Sequence, residues 1–314
     1  MKGRSEIREQ GYKDPLLVKV MRAHGFEELP LYKHRPAAQQ AKRRRWMELA
    51  KLRDGPVSTP PAPVDIGEAT AEIKEVARRI GADDVGIARL TPVMIRNDFD
   101  LPHDTVICMI VAEDYAEALK GPRATEEEAT SAYVRCAEIA TELAAYIRSR
   151  GYPAVAHHNG ACDVQAIPAM IAAGLGEIGK HGSLVHPTFG ASHRPGIVTT
   201  TMPLAVDAPD VFGVQDTCLH CNLCSNNCPA DAIPRSEFVL TEGIRRWVTD
   251  VEKCYVFSRL RPEYCHICVD VCPYIHKANG DPVKREHYKR YTAARKKAGY
   301  KTPTRFQGPD EPTT

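Results

Sequence analysis

The placement of cysteine constrains this chain more than any other feature. Of 11 cysteines, eight fall between Cys218 and Cys272. They form two groups, Cys218-x2-Cys221-x2-Cys224-x3-Cys228-Pro229 and Cys254 followed by Cys265-x2-Cys268-x3-Cys272-Pro273. An odd total crowded into one stretch is not a disulfide framework. The N-terminus has no apolar region, and the paired arginines of Lys42–Arg45 are not followed by one, so no export signal is expected and metal or redox chemistry is the better reading. Thiolates suit soft iron, and short CxxC spacings let one loop wrap a cubane from several sides. Proline after the last cysteine of each group lacks an N–H and turns the chain away. In two-cluster ferredoxins the cysteine before that proline ligates the other cluster. The pattern therefore assigns Cys218, Cys221, Cys224 and Cys272 to one [4Fe–4S] cluster, and Cys265, Cys268, Cys228 and Cys254 to a second. Structural zinc would use the same residues, but the CxxCxxCxxxCP run with its partner points to iron–sulfur. Cys108, Cys136 and Cys162 stand apart and read as small buried hydrophobes.

Charge nearly cancels, 42 Lys+Arg against 40 Asp+Glu, which excludes a polyanion binder as a whole-chain reading. Apolar residues make up 43%, enough for a sizeable core. The longest apolar runs, such as Thr105–Ala112, are too short to cross a bilayer, and a cytoplasmic protein with no membrane segment is expected. Residues 1–66 read as a basic N-terminal extension, with a helix over Gln39–Arg53 and a proline-rich linker over Pro56–Pro63. Residues 67–212 are patterned as a globular core, 213–280 as a cysteine-held domain, and 281–314 as a basic tail. Helices are expected over Glu68–Ile80, Thr125–Arg150 (with a Thr125/Glu128 capping box) and Val164–Ala173. Strands are expected over Asp84–Leu90, Thr105–Ala112, Tyr152–His157, Ser183–His186 and Gly196–Thr201. Mixed helices and strands indicate an α/β or α+β core.

Three segments ahead of the clusters carry further information. Gly174-Leu-Gly-Glu-Ile-Gly-Lys-His-Gly182 places four glycines in nine residues and allows close backbone approach to a large ligand. It matches GxGxxG but follows a helix rather than a strand, so a dinucleotide site is rejected. Phe189–Leu204 reads FGASHRPGIVTTTMPL, and Val111-Ala-Glu-Asp-Tyr115 ends a strand.

Together with the cysteine groups, these segments resemble the corrinoid-dependent reductive dehalogenases and their relatives, the epoxyqueuosine reductases. The resemblance covers roughly residues 68–280. It implies an α+β fold, an α/β sandwich with a nitroreductase-like cobalamin-binding core, followed by a dicluster ferredoxin-like domain. It implies base-off cobalamin beside two [4Fe–4S] clusters, with Gly174, Gly176, Gly179, Lys180 and His193 as cofactor contacts. It also implies catalytic roles for Tyr133 and Arg194, which match the dehalogenase tyrosine and basic residue in spacing. A phenol beside a guanidinium is easier to ionise or to use as a proton donor.

The acidic residue of the epoxyqueuosine branch has no counterpart in Thr130–Cys136. That favours an organohalide substrate with electrons from an external ferredoxin or flavodoxin-type donor. A tRNA-modifying reductase is the alternative, for which the basic run Lys284–Arg305 could hold phosphates. A non-catalytic electron-transfer or corrinoid-reducing protein is a third reading.

Overall fold

The computed structural model describes residues 35–275, except 59, 62, 97, 98, 119, 237, 242, 243 and 260–263. The basic run Lys284–Arg305 lies outside the described residues.

The sheet is built around β2, Thr105–Ala112, whose alternation decides the layering. Ile107, Met109 and Val111 enter one apolar cluster, while Val106, Cys108 and Ile110 enter another. Successive strand residues point to opposite faces, so an unbroken apolar run is a strand covered on both sides. Its neighbours are β1 (Asp84–Arg89) and β6 (His193–Thr200), and β3 (Ala154–His157) closes the order β1-β2-β6-β3, antiparallel throughout. Two short strands, β4 (Glu177–Ile178) and β5 (Leu184–Val185), form a separate hairpin.

One face is covered by α2 (Ile66–Arg79) and α3 (Pro122–Ser149), the other by α4 (Ala166–Ala172). Helix α2 starts two residues earlier than its apolar spacing suggests, because the Asp65 side chain accepts the Glu68 N–H and caps it. Helix α3 starts earlier still, at a Gly121–Pro122 step, and the expected capping box does not form. Thr125 instead donates to the Gly121 carbonyl one turn back, and Glu128 accepts from Asp114 N–H and Arg135. Proline is suited to a first helical turn, where its missing N–H costs nothing.

The expected helix in the N-terminal segment exists as α1, Ala37–Lys51, and it is packed along α3. Its basic run meets the acidic flank of that helix, with Lys42 on Glu127 and Arg45 on Glu138, both 3.1 Å. Exposed pairs of this kind contribute about 0–1 kcal/mol each. Two firmer anchors bracket the helix. Arg35 pairs with Glu126 at 2.5 Å, both nearly buried, and Arg53 pairs with buried Asp163.

After the core come α5 (Val214–His220), the hairpin β7 (Val239–Thr241) and β8 (Ile244–Arg246), and α6 (Val251–Arg259). A third apolar cluster joins this region to the core: Val185 and Ala191 from the core pack with Phe212, Val214, Val269, Cys272, Tyr274 and Ile275.

Candidate active site and cluster loops

The register of β2 and β6 sets the centre of the site. Val111 lies opposite Arg194 and Ala112 opposite His193, so Glu113 leaves the sheet beside the Arg194 side chain. Arg194 Nη2 lies 2.7 Å from Glu113 Oε1, and its Nη1 donates to the His193 carbonyl at 2.8 Å. Glu113 Oε2 accepts from Ser192 Oγ at 3.0 Å. The guanidinium carbon stands 5.0 Å from the Tyr133 ring centroid, and Trp46 of α1 meets the same ring edge-on at 5.6 Å. Burial alone would lower the Arg194 pKa, but electrostatic interaction with its neighbours, Glu113 among them, outweighs it and holds the group raised and cationic. Tyr133 and Arg194, paired by the family resemblance, are thus in contact. Trp46 was not singled out from the sequence, because it lies in a segment that reads as an extension. Glu113 was noted only as part of the Val111–Tyr115 segment, with no role of its own.

Three buried histidines face the same region, and their hydrogen bonds imply their tautomers. His193 Nε2 donates to the Leu184 carbonyl at 3.2 Å, which leaves Nδ1 as an acceptor. His181 Nδ1 accepts from Ser183 N–H at 3.2 Å, which leaves Nε2 as a donor. His266 binds Asp270 through Nδ1 at 3.0 Å, with its Nε2 4.0 Å from Glu113 Oε2. His193 Nδ1, His181 Nε2, His266 Nε2 and Arg194 Nε have no hydrogen-bond partner among the described residues. Burial pushes His181 down to about 4 and His193 down to about 3, so both are neutral near pH 7. Unpartnered buried polar atoms are costly, and their convergence indicates a polar ligand. Cobalamin, whose periphery carries amides that both donate and accept, fits this set.

Gly174 and Gly176 have φ of +74° and +148°, and a Cβ on either would run into this chain's own carbonyls, at Ala208 and Val185 respectively. Close approach at these two glycines is made by the chain itself. A Cβ at Gly179 would meet the His181 ring. Glu177 accepts the backbone N–H groups of Phe212 at 2.7 Å and Val214 at 3.0 Å, holding the start of α5. Lys180 points into the first cysteine loop, where Nζ donates to Asn222 and to the Arg235 carbonyl, both 2.8 Å. Lys180, expected as a cofactor contact, meets protein groups here. The segment is a bracket between core and cysteine loops. Gly176→Val should consequently lower thermal stability by about 1–3 kcal/mol through overpacking and backbone strain. The loss should be the same with or without added cobalamin in parallel melts; a loss confined to cobalamin binding would restore the ligand-wall reading.

The cysteines lie in two adjoining electrostatic neighbourhoods that share Cys224. Burial raises the Cys272 thiol, and Cys218, Cys224 and Cys221 raise it further. Burial raises Cys268 as well, with Cys224, Cys254, Cys265 and Cys228 adding to it. Cys221, Cys224 and Cys272 are buried, whereas Cys254 is exposed. Cys108 and Cys136 are fully buried among apolar residues, as expected of small hydrophobes.

Residues 217–275 match the 4Fe-4S dicluster domain, so this is an iron–sulfur protein with two [4Fe–4S] clusters. Upstream of them, the match reaches into the core. The chain is 30% identical to the tetrachloroethene reductive dehalogenase of Sulfurospirillum multivorans, over 68% of this chain and 52% of that protein. It superposes on a catabolic reductive dehalogenase solved in complex with 3-bromo-4-hydroxybenzoic acid, with TM-score 0.73 and 28% identity, covering 83% of this chain and 40% of the other. An epoxyqueuosine reductase from Synechococcus sp. (strain CC9605) is 34% identical over 34% of each chain. The chain is thus a homologue of the reductive dehalogenases, with epoxyqueuosine reductases as further relatives, and it spans about a third to half the length of the curated dehalogenases it matches. Among the described residues no helix is long and apolar enough to cross a membrane.

Proposed function

We propose that the protein is a reductive dehalogenase-type oxidoreductase, replacing the halogen of an organohalide by hydrogen. The balance is R–X plus two electrons and one proton giving R–H and X−. The observation that carries the reading is the buried Arg194 guanidinium over the Tyr133 ring, fixed by Glu113. Tyr133 presents an O–H beside a permanent cation, an arrangement suited to delivering the proton. Arg194 keeps its charge and holds the departing halide or an anionic substrate group. Trp46 packs edge-on against one side of the phenol ring. His193 and His181, together with Arg194 Nε, would hold cobalamin, with Gly179 beside them. That cofactor would supply the low-potential metal chemistry that breaks the carbon–halogen bond.

Cys218, Cys221, Cys224 and Cys272 ligate the first cluster, and Cys228, Cys254, Cys265 and Cys268 the second. The exposure of Cys254 supports electron entry at the second cluster from an external ferredoxin or flavodoxin-type donor. The epoxyqueuosine reading is weaker, since Thr130–Cys136 lacks an acid and that match spans a third of the chain. The test is anaerobic reconstitution with iron, sulfide and cobalamin, followed by halide release from a panel of bromo- and chlorophenols and haloalkanes with a low-potential chemical donor. Cobalamin uptake with halide release supports the proposal. Full cluster content with no cobalamin uptake would leave an electron carrier, and reduction of epoxyqueuosine in tRNA without halide release would move the protein to the other branch.

A further inference from the structure

One buried cation has no part in that reaction. Lys180 is 0% exposed, yet both acceptors of its ammonium are neutral: Asn222 Oδ1 and the Arg235 carbonyl, each at 2.8 Å. Its Nζ also lies 5.1 Å from the ring centroid of Trp247, itself 1% exposed. The backbone N–H of Lys180 donates to Cys218 Sγ at 3.4 Å. Burial pulls the ammonium down, and the negative charges of Cys218, Cys224 and Cys221 pull it back up. The opposite charges acting on this lysine among the described residues are those of the first cysteine loop.

A cluster held by four thiolates gains one unit of negative charge on reduction, and its potential is set by net charge, hydrogen bonds to sulfur and solvent exposure. A fixed cation in a water-excluded setting acts on that charge far more strongly than a surface lysine does. We propose that Lys180 raises the reduction potential of the cluster bound by Cys218, Cys221, Cys224 and Cys272, favouring electron flow inward from the second cluster. The proposal rests on the ligand assignment given above. It concerns charge rather than the bond to sulfur, because the N–H that reaches Cys218 belongs to the backbone and survives substitution of the side chain.

The test is a redox titration of the anaerobic holoprotein followed by electron paramagnetic resonance, with iron counted in each variant. Lys180→Gln keeps two N–H donors for Asn222 and Arg235 but removes the charge. It should lower the equilibrium constant for one-electron reduction of the first cluster at least tenfold, a shift of about 59 mV, and move the second cluster much less. Asn222→Asp leaves the lysine in place and sets a carboxylate against it, so it should shift the same cluster in the same direction. This variant decides the matter if Lys180→Gln fails to hold its cluster. Unchanged potentials in Asn222→Asp, or in a fully loaded Lys180→Gln, would overturn the proposal. If the signal that moves is one that survives Cys218→Ser, the ligand assignment is at fault and not the effect of the charge.

Discussion

Replacing Tyr133 by phenylalanine should lower turnover by about 10²–10⁴, the usual range for general acid–base help. The substitution keeps the ring that Arg194 covers and Trp46 abuts, and removes only the O–H. Iron and cobalamin content should not change, which separates a lost proton donor from a damaged pocket. Arg194→Lys should retain more activity than Arg194→Ala, because it keeps the charge while losing the planar fork that spans Glu113 and the His193 carbonyl. Full activity in Tyr133→Phe, measured by halide release under saturating donor, would remove the phenol from the mechanism.

Cys272→Ser should eliminate the same cluster as Cys218→Ser, although the two positions lie at opposite ends of the cysteine-rich segment. Each should bring iron from about eight to about four atoms per chain and stop turnover driven by an external donor. Cys228→Ser should remove the other cluster. The crossing is supported by Cys272, which senses Cys218, Cys224 and Cys221, while Cys268 senses Cys224 together with Cys254, Cys265 and Cys228, so the two sites adjoin. Iron and sulfide counts with low-temperature spectra of the reduced variants check it. If Cys272→Ser and Cys228→Ser lost the same signal, each sequence group would bind its own cluster and the assignment would be wrong.

The cysteine segment was legible because its chemistry depends on spacing along the chain, and the solved shape adds only which thiols share a neighbourhood. Strand β2 was legible for a related reason, as an apolar run too short for a helix and buried on both faces. Tyr133 and Arg194 were found through resemblance; periodicity alone leaves Tyr133 as one more residue on a helix. What could not be read were contacts made between distant elements. Glu113 gains its role from the register of β2 against β6, and Trp46 gains its role from a helix that looks detachable in sequence. The glycine segment was recognised as a place of close approach. Glycine marks close approach without saying to what, and Gly174 and Gly176 turn out to face carbonyls of their own chain.

The docking of α1 also bears on the order in which the molecule can be assembled. The helix leaves the ribosome ahead of its anchors, Glu126 and Asp163, which follow 91 and 110 residues behind Arg35 and Arg53. Closing segments of that length carries an entropic cost that only late tertiary contacts offset. Helix α1 must therefore wait, largely unpartnered, until the long helix and the strands beyond it exist. The wall that Trp46 gives to the phenol is thus synthesised ahead of the long helix on which it is placed.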